Sequence, residues 1–136
     1  MTTDERIALV KSLELAPFSQ MLGLKVESAH NGEAIARMPL NESLLNSGGP
    51  QAPIHGGATA ALADFAACAA VWSMPETVDS ATISISVNYT GPGVQTDLLA
   101  RARVRRKGKR IASLTVEVTD RTGTLIADAL VTYKIA

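Results

Sequence analysis

The sequence predicts an α+β domain: one long, alanine-rich helix covered by a curved antiparallel sheet of about six strands. Three observations predict it. The longest apolar stretch, Gly56 to Met74, is built largely of small residues and has no internal proline. After Pro75 the hydrophobic period changes to two, as in "TISISVNYT" and "LARARVRR". The breaks between the alternating segments, "YTGPGVQ", "RKGK" and "DRTG", are short and contain glycine. With 136 residues the chain is most simply one domain over 1–136, long enough to bury a core. Aromatics make up only 4%, so that core must be assembled from Ala, Val, Ile and Leu.

Taken in order, Thr2 or Thr3 can cap a short helix carrying Ile7, Leu9, Val10 and Leu13. "APFSQMLGL" reads as a helical turn closed by Gly23. Strands are expected over about Leu24–Ala29 and Ala34–Leu40, joined by a hairpin turn at Asn31-Gly32. "NESLLNSGGPQAPI" is a loop, and the alanine-rich helix follows it. Four further strands read as an antiparallel meander. In the first of them Ile83, Ile85, Val87 and Tyr89 are expected on one face and Thr82, Ser84, Ser86 and Asn88 on the other. Small side chains on the helix allow the sheet to approach its axis closely.

Composition excludes several classes. The formal net charge is zero, so the basic excess of a nucleic-acid binder is absent outside the local run "RARVRRKGKR". Cys68 is the only cysteine, which rules out an intrachain disulfide and a multi-cysteine metal site; it reads as a buried, inert thiol. No metal site is expected. The first residues lack the apolar core of a signal peptide, and Asp64 interrupts the one stretch long enough to suggest a membrane span. The expectation is a soluble, cytoplasmic protein with neither membrane nor nucleic acid as partner.

Asp64 is the only formally charged residue between Asn46 and Pro75. A lone acid in an apolar helix is either a structural group with a buried partner or a functional one. His55, Gly56 and Gly57 stand at the start of the same helix. Two glycines there expose backbone N–H groups, and the helix dipole favours developing negative charge, as an oxyanion hole for acyl transfer requires. Gly57 and Asp64 are seven residues apart, so at ~1.5 Å per residue they lie about 10 Å apart along the axis. A nucleophile must come within about 3–3.5 Å of the carbon it attacks. If both groups act on one carbonyl, the helix tip and the acid come from different subunits.

"HGGATAALAD" (residues 55–64), "TISISVNYTGPG", "ARVRRKGKRIASLTVEVTDRTGTLIADALVTYK" and "PFSQMLGLKV" together resemble the hotdog-fold acyl-CoA thioesterases of the phenylacetate-pathway, PaaI-like type. The resemblance covers nearly the whole chain. It implies a helix wrapped by a curved sheet, two subunits joining their sheets into one layer, and dimers pairing into a homotetramer. It implies hydrolysis of an acyl-CoA to free acid and CoA, with coenzyme A as part of the substrate and no separate cofactor. Asp64 matches the family's catalytic carboxylate, as general base or nucleophile, and Gly57 the N–H that polarises the thioester carbonyl. Beside Gly57, Gly56 belongs to the substrate-binding tip, and His55 shapes the loop, either as a turn histidine hydrogen-bonded to backbone or as a catalytic group that transfers a proton. Thr82 falls where relatives carry a hydroxyl that helps to place water.

Relatives commonly carry an asparagine a few residues before HGG. Here the loop is longer, and Asn46, or else Gln51, could supply the amide. Arg103, Arg106, Lys107 and Lys109 could hold coenzyme A phosphates, or be solvent-facing charges that protect a strand edge. Phe65 and Trp72 could pack in the core or at the dimer seam, or line an acyl pocket. Two rival functions remain: an acyl-CoA-binding sensor or carrier that has lost efficient chemistry, favoured by the altered loop, and a hotdog dehydratase.

Overall fold

The computed structural model describes residues 1–77 and 79–136. Thr2 caps the first helix, α1 (Thr3–Lys11), through a capping box with Glu5, and a 3-10 turn leads to α2 (Pro17–Leu22). Gly23 ends α2 in the left-handed region (φ 71°), as glycine after a helix commonly does. Strands β1 (Lys25–His30) and β2 (Glu33–Met38) pair through a two-residue turn in which Asn31 and Gly32 both have positive φ, 46° and 86°. That is the turn whose twist matches flanking strands. The long helix α3 spans Gly56–Trp72, and β3 (Ala81–Tyr89), β4 (Leu98–Lys107), β5 (Ile111–Asp120) and β6 (Leu125–Lys134) complete the fold.

All six strands form one antiparallel sheet in the order β1-β2-β4-β5-β6-β3. The expected four-strand meander is therefore corrected: only β4-β5-β6 is one. The strand after α3 lies at the far edge beside β6, and β4 returns to pair with β2. Local patterning is blind to this, because alternation reports which face a residue takes and not which neighbour a strand takes.

The core lies between α3 and the sheet. Ala63, Ala66, Ala67, Ala69 and Ala70 of the helix are fully buried, and so are Ala36, Ala100, Ala112 and Ala127 of the sheet. Thus alanine occupies both sides of the contact, with Leu62, Met38, Leu98, Leu114 and Val116 filling the spaces between. The C-terminal end of α3 is tied down by polar contacts. Arg6 of α1 donates to the carbonyls of Trp72 and Pro75, and the Ser73 hydroxyl accepts from the Gly32 N–H at 2.8 Å. The bond from Arg6 to Trp72 satisfies a carbonyl that the helix end leaves unpaired.

The residues of α3 that escape full burial form a stripe: Gly56 and Gly57 at its start, then Ala60, Ala61, Asp64, Cys68 and Trp72. Their spacing of three or four keeps them on one helix face, which the sheet leaves open.

Candidate active site

Asp64 stands midway along that open stripe. Its carboxylate is held from the β3–β6 edge of the sheet. The Thr82 hydroxyl donates to Oδ1 at 2.9 Å and the Tyr133 hydroxyl donates to the same oxygen at 2.8 Å. No protein group among the described residues hydrogen-bonds Oδ2.

A fault in β3 makes the Thr82 contact possible. Thr82 pairs with Tyr133 and Ser84 with Thr132, which leaves Ile83 as an extra residue in the ladder. Such a bulge re-aims side chains. Ile85 and Val87, opposite Val131 and Ala129, keep to the inner face. Across the bulge it is Thr82 that shares the inner side with Tyr133, and Ile83 is 55% exposed. The expectation that Ile83 lies with Ile85 and Val87, and Thr82 opposite to them, is corrected accordingly. Tyr89 at the strand's other end is also exposed, and its hydroxyl donates to the Gly56 carbonyl at 2.6 Å.

The acid opens onto a groove of about 350 Å³ whose apolar lining includes Phe18, Leu24, Phe65, Cys68 and Trp72. Phe65 is buried, while Trp72 is half-buried, its indole N–H donating to the Ser80 hydroxyl at 2.6 Å. Cys68 stands one turn after Asp64 on the groove wall. Burial, reinforced by the Asp64 charge, pushes its thiol up to about 11, so it is protonated at neutral pH. Burial above all, with Cys68 and Asp64 adding to it, likewise holds the Tyr133 phenol well above its ordinary range. Tyr133 is therefore a donor, never a phenolate, under working conditions.

At the helix start His55 is the N-cap. Its Nδ1 accepts from the Gly57 N–H at 2.8 Å, which requires the neutral ring with its proton on Nε2. A Cβ at Gly56 would sit 3.2 Å from the Tyr89 ring, so the helix tip is shaped around that tyrosine. Gly57 is exposed, and it shares the open stripe with Asp64, seven residues further along the same helix. At ~1.5 Å per residue the two remain about 10 Å apart along the axis.

The loop before the tip is closed at its base. His55 N–H donates to the Leu44 carbonyl at 2.7 Å, Leu45 and Ile54 form a bridge, and Asn46 N–H donates to the Pro53 carbonyl at 3.0 Å. Asn46 is thereby held beside Pro53, two residues before His55, whereas Gln51 lies in the exposed turn beyond it. Neither side-chain amide has a hydrogen bond among the described residues. A larger hollow, about 590 Å³, is lined by residues 47–50 with Gln95 and Arg121, and contains none of the residues bonded to Asp64.

The basic cluster sits away from this arrangement. Arg103 lies on the outer face of β4 and faces Glu33 at 3.7 Å, and Lys107 pairs with Glu76 at 3.0 Å. Arg106 and Lys109 are exposed and without an ion pair among the described residues. No group of His, Cys, Asp and Glu that could hold a metal ion occurs among the described residues, and none of their helices is long and apolar enough to cross a membrane.

A carboxylate on an open helix face, clamped through one oxygen beside an apolar groove, is an arrangement suited to hydrolysing an acyl compound. Residues 53–127 match the family model of the thioesterase superfamily. The chain belongs to this superfamily, whose fold is the hotdog. It is 35% identical over 119 residues to VNG_1336C of Halobacterium salinarum, a protein named as an esterase, covering 85% of this chain and 78% of that one. It is 26% identical to the medium/long-chain acyl-CoA thioesterase YigI of Salmonella typhimurium, covering 99% and 97%. Among solved structures, the E. coli PaaI protein from the phenylacetic acid degradation operon superposes with a TM-score of 0.82 at 22% identity, over 98% of this chain and 93% of that one.

The sequence singled out Asp64 and Thr82, and the fold brings their side chains into contact. It did not single out Tyr133. The available signal was a tyrosine on the inward-facing side of β6, in register with Ala127, Ala129 and Val131, where a buried hydroxyl needs a partner.

Proposed function

We propose that the protein hydrolyses acyl-CoA thioesters, with Asp64 as the acid–base or nucleophilic group. The observation that carries this reading is the Asp64 carboxylate, held through Oδ1 by two hydroxyls with Oδ2 unpartnered beside an apolar groove. The acyl-CoA class is supported by the likeness to YigI, which is named for that substrate. As a base, Oδ2 takes a proton from water while the water oxygen bonds to the thioester carbon. The tetrahedral intermediate then collapses, the C–S bond breaks, and the proton ends on the coenzyme A sulfur. As a nucleophile, Oδ2 itself bonds to the carbon, thiolate leaves, and water cleaves the resulting anhydride.

The carbonyl oxygen is polarised by the Gly57 N–H of a second copy, with Asn46 adding a side-chain amide. Because His55 Nδ1 already accepts from that N–H, substrate binding exchanges an imidazole nitrogen for the thioester oxygen. Two features favour assembly. Strand β3 is an edge of nine residues without a charge or a proline, the kind of edge that pairs with another chain. The open stripe of α3 lies alongside it, so a homodimer joined at β3 would bring a partner toward Asp64. Pairing of such dimers gives the homotetramer. Arg106 and Lys109 are the better placed of the four basic residues for coenzyme A phosphates, since Arg103 and Lys107 already face acids.

The occupied Gly57 N–H is also what an acyl-CoA-binding module without turnover would show. Thiol release from short, medium, long and aromatic acyl-CoAs separates the two. Hydrolysis is expected, and Asp64→Asn should lower it by about two orders of magnitude or more while the assembly persists. Tight binding of an acyl-CoA with no thiol release from any would favour the binding module instead.

A further inference from the structure

Both hydroxyls that reach Asp64 converge on one oxygen. Tyr133 and Thr82 are cross-strand partners on β6 and β3, and each donates to Oδ1 within 2.9 Å. We infer that Tyr133 is a positioning residue that, together with Thr82, locks the Asp64 carboxylate by Oδ1 so that Oδ2 alone meets water or the thioester carbon. This inference rests on Asp64 being the reacting acid and adds which of its oxygens reacts and what selects it.

A carboxylate on a single χ2 bond rotates about a broad, two-fold well, so without restraint its oxygens interchange. Two donors from one strand pair, on the same side, remove that equivalence. Tyr133 is 3% exposed, its ring packed under α3, so its hydroxyl cannot follow a carboxylate that turns away. Thr82 is exposed and its hydroxyl rotor is free to adapt, which makes Tyr133 the stiffer of the two restraints. The phenol has a single proton. The Asp64 main-chain carbonyl is within 3.2 Å, but the charged oxygen at 2.8 Å is nearer and the stronger acceptor. Burial keeps that proton on the phenol. Thr82, having spent its proton on Oδ1, keeps lone pairs with which to accept from water, so the two hydroxyls divide the work.

The test compares Tyr133→Phe with wild type in the assembled protein, using thiol release from whichever acyl-CoA of the panel turns over best. Phenylalanine keeps the ring and removes the donor. The expected result is a fall in kcat of about ten- to a hundred-fold, the usual scale for one hydrogen bond to a charged group, with KM within two-fold of wild type. Tyr133→Phe placed in the Asp64→Asn background should cost nothing further, because Tyr133 acts only through the acid. A merely structural tyrosine would instead raise KM along with the fall in kcat, or lower the residual rate of the Asp64→Asn protein, and either result overturns the inference. Wild-type kcat in Tyr133→Phe, with Asp64→Asn inactive, overturns it while leaving Asp64 in its role. Near-normal turnover in Asp64→Asn overturns both.

Discussion

At the scale of single residues, the open face of α3 holds two groups of opposite character one turn apart. Asp64 accepts hydrogen bonds from two hydroxyls, whereas Cys68 has its ionised form penalised by burial and by the neighbouring carboxylate. A thiol pushed up to about 11 is ionised in roughly one molecule in a thousand at pH 8. Iodoacetamide should therefore label Cys68 far more slowly than free cysteine at pH 8, and the rate should climb with pH until the thiol titrates. Intact mass measured over time checks this, and labelling as fast as free cysteine would contradict it. Asp64 was legible in the sequence because a lone charge in an apolar helix stands out. Tyr133 was not, because an inward tyrosine on a strand looks like any other core aromatic until its cross-strand partner is known.

At the scale of elements, close approach of helix and sheet depends on alanine being on both surfaces. Only the helix half of that pattern was evident from the sequence, since alanines dispersed through strands do not form a conspicuous run. Ala66 is fully buried between α3 and the sheet, and replacing it with leucine forces side chains into a filled contact. Ala66→Leu should destabilise the fold by about 1–3 kcal/mol, read as a lower urea midpoint. No loss of stability would mean the helix has room to retreat. Strand positions, the Asn31-Gly32 turn and the span of the long helix followed from periodicity and turn chemistry. The placement of β3 at the far edge did not, and neither did its bulge. Both depend on pairing between distant segments, and the bulge is what brings Thr82 onto Asp64.

At the scale of the whole molecule, distance along α3 decides how the site is assembled. The Gly57 N–H and the Asp64 carboxylate belong to one helix, about 10 Å apart along its axis at ~1.5 Å per residue. They cannot both act on one carbonyl unless two copies supply one each. Strand β3, an uncharged edge beside the open stripe of α3, offers a surface for that pairing. The most direct test mixes two inactive variants: Asp64→Asn, which removes the acid, and Gly57→Pro, which removes the N–H, and with it the bond to His55 Nδ1, at a first-turn position where proline fits a helix. After subunit exchange, half of the two-fold pairs are mixed, and each mixed pair holds one site with both groups intact. Thiol release should return to about a quarter of the wild-type rate per mole of protein. Mixtures shown by mass to have exchanged subunits, yet as inactive as either variant alone, would contradict a site shared between copies.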